Sequence, residues 1–157
     1  MEKGEKIIHY TEYSSINELP VEYKKLMEAA IDAISSSYAP YSNFNVGAAV
    51  MMDNGKIITG SNQENAASPS GLCAERVALF YAHHKFPNNA VKAIAVVGSS
   101  EGVLTPTLTY PCAGCLQVLA ESQKRGGIPI TIIIGSSSSI QIVESIDALL
   151  PFSFIDF

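Results

Sequence analysis

Basic residues are scarce and scattered in this chain. Lys and Arg total 10 against 15 acidic residues, for a formal net charge of −5, and Lys124-Arg125 is no more than a pair at a helix end. Nucleic-acid binding rests on cations that neutralise phosphates, so that class is excluded. No apolar stretch approaches the ~20 residues that a membrane span needs. Nor does a signal-type apolar region follow Met1-Glu2-Lys3-Gly4-Glu5-Lys6. The expectation is a cytoplasmic protein with no membrane partner. Cysteine is also sparse. Three residues, an odd number, fit poorly with the disulfide framework of a secreted domain. The three histidines are His9, near the N-terminus, and the adjacent His83 and His84. That supply gives little support to Ser-His or Cys-His nucleophilic catalysis.

What remains is apolar. A hydrophobic fraction of 47% and a charged fraction of 16% indicate one compact domain slightly richer in apolar residues than average. The excess has two readings: a buried subunit interface, or strands covered on both faces, which read as unbroken apolar runs. Residues 1–19 show no period and are expected to be an N-terminal arm, leaving 20–157 as a single domain without repeats. Helical spacing of Leu26, Ala29, Ala30, Ala33 and Ile34 predicts a helix from Pro20 to about Ser36, ended by the serine run and Pro40. Val46 to Met52 and Lys56 to Gly60 predict a hairpin about Asp53-Asn54-Gly55. Asn62 to Leu72 reads as a loop, and Ala74 to about His84 as a helix with Val77, Ala78, Phe80 and Tyr81 mostly inward. Strands are expected over Val91 to Val97 and Ile128 to Ile134, separated by a long loop from Gly98 to Tyr110. A helix from Cys112 or Ala113 to about Lys124 follows that loop, stopped by Gly126-Gly127. Beyond Ile134, Ser136 to Ser139 reads as a polar turn, Ile146 to Leu150 as a short helical turn, and Phe152, Phe154 and Phe157 as an aromatic tail. The order helix, hairpin, helix, strand, helix, strand points to a mixed sheet with helices packed on it.

All three cysteines fall in two segments, Cys73-Ala74-Glu75-Arg76 and Pro111-Cys112-Ala113-Gly114-Cys115. Both stand where helices are expected to start, and there the backbone N–H groups and helix dipole favour thiolates. Cys112 and Cys115 share one helix face, so with Cys73 they can hold a tetrahedral zinc whose fourth position stays open to water. Glu75 is then a non-ligand carboxylate beside that water, suited to moving protons. A redox Cys-x-x-Cys pair is the bland alternative, but it leaves Cys73 and Glu75 without a role. A closed structural zinc would need a fourth ligand, and His83 and His84 lie about 15 Å along the helix from Cys73 by helical rise.

These segments, with others, carry a resemblance. Tyr38-Ala39-Pro40-Tyr41-Ser42-Asn43-Phe44-Asn45-Val46-Gly47-Ala48-Ala49, the segment Asn62-Gln63-Glu64-Asn65-Ala66-Ala67, its spacing to Cys73, and Leu149-Leu150-Pro151 near the end are together similar to the zinc-dependent nucleoside deaminases, specifically cytidine deaminases. The likeness spans about residues 20 to 155. It implies an α/β fold, a three-layer α-β-α sandwich with a mixed sheet. It also implies one Zn2+ per chain on Cys73, Cys112 and Cys115, with Glu75 as the proton shuttle. Phe44 would pack on the pyrimidine and Asn62 and Glu64 would bond the ribose hydroxyls. Ala74 would complete the substrate contacts, and Arg76 would support a thiolate from behind. The implied reaction is hydrolysis of cytidine and deoxycytidine to uridine and deoxyuridine with release of ammonia. The implied assembly is a homotetramer, or else a homodimer.

The chemistry stands without the name. Replacing an exocyclic amine on an aromatic ring requires a nucleophile at neutral pH, which a zinc-activated water supplies. A ring nitrogen and the leaving amine must each gain a proton, and one carboxyl group near both can deliver them. A modified pyrimidine nucleoside or a nucleoside antibiotic is the alternative substrate, but Asn62 and Glu64 favour the plain nucleoside. A non-enzymatic zinc module would have no use for Glu75. Nucleotide deaminases must accommodate phosphate, and these loops lack the cations. Two positions depart from the family pattern. Leu116 stands where many three-cysteine members carry Arg, which leaves Arg76 alone to offset thiolate charge. Ser68 stands where an aromatic residue is usual, so base or sugar preference is open to change.

Overall fold

The computed structural model describes residues 1–156. Seven strands form one sheet: β1 Thr11–Tyr13, β2 Phe44–Met52, β3 Ile57–Ser61, β4 Val91–Ser100, β5 Val103–Leu104, β6 Thr131–Gly135 and β7 Ile140–Val143. The order across the sheet is β1-β7-β6-β4-β2-β3, with β5 added to β4. β4 and β6 run parallel, joined through α3 (Ala113–Gly126), and every other pair is antiparallel. Helix α1 (Val21–Ala33) covers one face, while α2 (Ala74–Lys85) and α3 cover the other. The result is the expected three-layer α/β sandwich.

Alternation along the strands explains the apolar runs. Successive side chains of a strand point to opposite faces. In β4, Ala93, Ala95 and Val97 join the α1-side cluster, while Ile94 and Val96 join the α2/α3 side. In β6, Ile133 divides in the same way from Ile132 and Ile134. All of them are fully buried or nearly so. The sheet is therefore apolar because both its faces are covered, the second of the two sequence readings.

Two strand glycines set how closely the helices sit. A Cβ at Gly47 would lie 1.9 Å from the Ala30 carbonyl oxygen of α1, and one at Gly60 2.6 Å from Ala78 N and 2.7 Å from Ala74 O of α2. Close approach also fixes which face of α2 turns inward, and here the sequence expectation needs correction. Ala74, Glu75, Ala78, Leu79 and Ala82 are buried, whereas Phe80 and Tyr81 are each 49% exposed. Gly60 lets the α2 backbone at Ala74 and Ala78 come close to the sheet, so the alanine stripe faces the sheet and the aromatics turn out. Val77 is half-buried.

Other expectations shift at the edges. The Gly98–Tyr110 segment is not all loop, because β4 continues to Ser100 and turns back through β5. β6 begins at Thr131 rather than Ile128, since Pro129 has no N–H to give a ladder. Within 1–19, Thr11–Tyr13 pairs with Ile140–Ile142 of β7 and so extends the sheet by one strand. α3 does end at its glycines, where Gly127 adopts φ +67° and donates to Gln123 O. Phe152 and Phe154 are exposed, and Phe157 lies outside the described residues.

The layout brings the sequence motifs to one end of the sheet. β3, β4 and β6 all run antiparallel to β2. The start of β2 at Phe44, the exit of β3 into Asn62 and the exit of β4 toward Cys112 therefore share that end.

Candidate active site

Cys73 and Cys112 occupy the N-cap positions of α2 and α3, in extended backbone conformation. Cys115 lies one turn into α3, fully buried. The Cys73 and Cys112 sulfurs are 3.8 Å apart, those of Cys112 and Cys115 3.6 Å, and all three Sγ atoms lie within 4.8 Å of one another. Without a metal, three thiols this close share protons. The Cys73 thiol is drawn down to about 5, chiefly by a hydrogen bond from Cys115 and also by Arg76, and Cys115 is pushed up in return. Arg76 Nη2 sits 3.5 Å from Cys73 Sγ, and its Nε is buried with no partner. Three soft donors, two of them at helix N-termini and one touched by a guanidinium, suit a zinc ion. No histidine or carboxylate joins this cluster among the described residues. His83 is occupied instead with Ser122 Oγ at 2.7 Å.

Glu75 is 4% exposed. Burial raises its carboxyl pKa above the ordinary value, and the charge of Cys73 adds to the rise. Its own charge helps to push up Cys115, so the carboxyl group is adjacent to the thiol cluster. A carboxyl that holds its proton more strongly than usual, beside a cation site, has the character of a proton carrier.

Tyr41, Asn62, Glu64, Ser68 and Leu72 border a cavity of about 470 Å3 that opens onto Cys73 and Arg76. Glu64 lies on its wall. One carboxylate oxygen, Oε2, accepts from the backbone N–H of Tyr41 at 2.8 Å and of Ser42 at 3.3 Å. Hydrogen bonding, first from the Ser42 side chain and then from Tyr41 N–H, holds its pKa below the usual carboxylate value. Asn62 also lines the cavity, but its amide serves the scaffold. Oδ1 accepts from Val46 N (2.8 Å) and Ser37 Oγ (2.6 Å), and Nδ2 donates to Phe44 O (2.9 Å). Phe44 lies half-buried over β4, where a Cβ at Gly98 would fall 2.7 Å from its ring. Ala74 is fully buried, and its backbone carbonyl sits against the Gly60 position of β3. Ser68 is exposed on the cavity rim. Leu116 packs, partly buried, against the α2/α3-side core.

Residues 20–128 match the family model described as the cytidine and deoxycytidylate deaminase zinc-binding region. The chain belongs to the cytidine deaminase family. It is 44% identical over 96 residues to the cytidine deaminase of Halalkalibacterium halodurans, covering 61% of this chain and 68% of that one. To the cytidine deaminase of Mycobacterium tuberculosis it is 39% identical over 101 residues, 64% of this chain and 71% of that one. The crystal structure of cytidine deaminase from Burkholderia pseudomallei superposes with a TM-score of 0.70 at 36% identity, over 83% of this chain and 97% of that one. The family model is that of a zinc-binding region, and the three-cysteine cluster is able to hold such an ion. The enzyme is a zinc-dependent hydrolase that deaminates cytidine.

Ser37, in sequence only part of a helix stop, bonds the Asn62 amide. Tyr41, in sequence only part of a motif, holds Glu64 by its N–H. Both contacts join segments more than twenty residues apart, and no local pattern signals them.

Proposed function

We propose that the enzyme converts both cytidine and deoxycytidine, using Cys73, Cys112 and Cys115 to hold zinc and Glu75 to carry protons. The observation that carries this reading is the buried Glu75 beside three thiol ligands whose sulfurs converge within 4.8 Å. Bound zinc acidifies a water molecule, so that a nucleophile exists at neutral pH. Glu75 accepts a proton from the attacking water and delivers it to the ring nitrogen N3 as the new C4–O bond forms. It then takes the second proton from the hydroxyl now on C4 and passes it to the exocyclic amine, so that the C4–N bond breaks, the C4=O bond forms and ammonia leaves. Burial supports both halves of this cycle, because it brings the carboxyl affinity for protons nearer to that of its donors and acceptors.

Asn62 and Glu64 orient the sugar. Tyr41 and Ser42 N–H groups hold Glu64 at Oε2, and the carboxylate would accept from a ribose hydroxyl through its remaining lone pairs. Asn62 has spent its oxygen on Val46 and Ser37, which leaves one Nδ2 proton to donate. Phe44 supplies apolar surface to the base, Ala74 its backbone, and Arg76 offsets the negative charge of three thiolates. Residues 20–157 form the catalytic domain, which acts in the cytoplasm as a homotetramer or homodimer. The exposed Phe152, Phe154, Ile7 and Tyr10 support an assembly, since exposed apolar clusters mark interfaces.

The test is turnover, followed by loss of cytidine absorbance in protein of known zinc content. Cytidine and deoxycytidine should react far better than cytosine or cytidine monophosphate. Cytosine brings no sugar hydroxyl to Asn62 and Glu64, and the monophosphate meets no cation cluster among the described residues. Preference for the monophosphate would overturn the substrate assignment, and an active monomer in light scattering would overturn the assembly.

A further inference from the structure

Residues 1–19 lie outside the segment matched by the family model, yet one of them is tied through hydrogen bonds to the segment that precedes Cys112. Glu12 in β1 stands opposite Gln141 in β7. Gln141 is 8% exposed, and its strand neighbours Ile140 and Ile142 both belong to the α1-side core. By alternation Gln141 and Glu12 face the other side, where the metal ligands are. The hydroxyl of Tyr110 donates to Gln141 Oε1 at 2.7 Å, and Gln141 Nε2 donates to Glu12 Oε1 at 3.4 Å. With Glu12 accepting at the amide nitrogen, the amide oxygen is left facing the Tyr110 hydroxyl. Only Pro111, buried and with φ locked by its ring, separates Tyr110 from Cys112. Proline also restricts the residue before it. A fixed Tyr110 side chain therefore fixes how the backbone enters Cys112. That ligand needs such help, because Cys112 is exposed while Cys115 is buried and Cys73 half-buried.

We propose that strand β1, through Glu12, Gln141 and Tyr110, is a positioning device for Cys112 and slows loss of the metal. Tyr110, Gln141 and Glu12 act through Cys112 and touch no reacting atom. The role needs zinc on the three cysteines and is independent of the substrate assignment.

The experiment loads full-length protein with zinc and follows its transfer to an excess of a chromophoric chelator, with melting temperature measured alongside. Tyr110→Phe and Glu12→Ala should each speed zinc release about tenfold, at the low end of the ~10–100-fold seen when support behind a metal ligand is removed. The double variant should be no faster than the faster single one, because both cut the same chain of bonds. Glu12→Gln keeps an acceptor oxygen and should restore the slow rate. Ile142→Val, on the same strand but the opposite face, should lower melting temperature and leave zinc release unchanged. Wild-type release from Tyr110→Phe would overturn the proposal. Release from Ile142→Val as fast as from Glu12→Ala at equal melting temperature would reduce the relay to ordinary stability, and overturn it equally. Tyr110→Phe retains the ring, so it decides the matter alone if Glu12→Ala fails to fold.

Discussion

Replacing Glu75 by Gln separates the proton carrier from the scaffold. The amide has the size and polarity to occupy the same buried position, 4% exposed, but it cannot exchange a proton at neutral pH. General acid–base catalysis contributes ~10²–10⁴-fold per positioned group, equal to about 3–5 kcal/mol at 1.36 kcal/mol per tenfold. Glu75 serves more than one transfer, so kcat should fall by at least ~100-fold while zinc content stays at one per chain. Stability should move the other way. Burial raises the folded-state pKa of Glu75 above its unfolded value of about 4.3. Below that pH both states are protonated and the wild type carries no penalty. As pH rises through the raised folded value, the wild type loses stability that the Gln variant keeps. In chelator-treated protein, the melting-temperature advantage of Glu75→Gln should therefore open above about pH 4.3 and level off once the folded carboxyl ionises. Steady-state rates and pH-dependent melting together make the assay. A variant that keeps a tenth of wild-type kcat would refute the shuttle. A melting gap that narrows with rising pH would refute the burial argument.

Cys73→Ala should abolish stoichiometric zinc, measured by elemental analysis, whereas fully active metal-free wild type would end the zinc reading. Asn62→Ala removes bonds to Val46 N, Ser37 Oγ and Phe44 O, so it should cost about 1–3 kcal/mol in denaturant unfolding as well as raising KM. Glu64→Gln should raise KM for cytidine far more than for cytosine, without a comparable loss of stability. Because the Glu64 pKa is held below the ordinary carboxylate value, KM should stay flat as pH falls to the usual carboxylate range and rise only beneath it. Leu116→Arg tests the missing second guanidinium: the acidic limb of the pH–rate profile should move to lower pH. A melting loss from placing Arg where Leu116 packs against the core is expected beside it. An unchanged profile in a folded variant would show that Arg76 already suffices.

Much of this was legible in the residues, and the reason is locality. The hairpin about Asn54-Gly55, the glycine stop of α3 and the alternating burial of β4 and β6 each follow from neighbours a few positions away. So does the chemistry, since Cys73 with Glu75 and Cys112 with Cys115 sit within single helical turns. Helix α2 shows where locality ends. Val77, Phe80 and Tyr81 form as apolar a stripe as Ala74, Ala78, Leu79 and Ala82, and periodicity alone cannot choose between them. The choice depends on Gly60 of another strand, which lets the α2 backbone at Ala74 and Ala78 come close to the sheet. Strand β1 was missed for a similar cause. Three residues with an exposed, polar-tinged pattern carry no signal until β7 offers them an edge.

The same contrast separates the two kinds of site residue. Metal ligands are recognisable because their chemistry is carried by the atom type itself, so three cysteines and a nearby carboxylate suggest an open zinc site with a proton carrier, while the reaction class rests on the wider resemblance. Asn62 differs, because its identity permits either a sugar contact or a structural brace. The hydrogen bonds show the brace: its amide ties the exit of β3 to the start of β2, at Phe44 and Val46. A sugar-binding role must then use the one Nδ2 proton left over, in a direction the scaffold has already set. Pre-orientation of this kind lowers the ordering cost of binding, so the two roles reinforce each other. Ser37 matters for the same reason. Its hydroxyl, 2.6 Å from Asn62 Oδ1, adds a second hold on the oxygen that Val46 N–H of β2 also bonds. Ser37→Ala should thus weaken substrate binding although Ser37 itself touches no substrate. A KM for cytidine unchanged in a stably folded Ser37→Ala variant would show that β2 alone fixes Asn62.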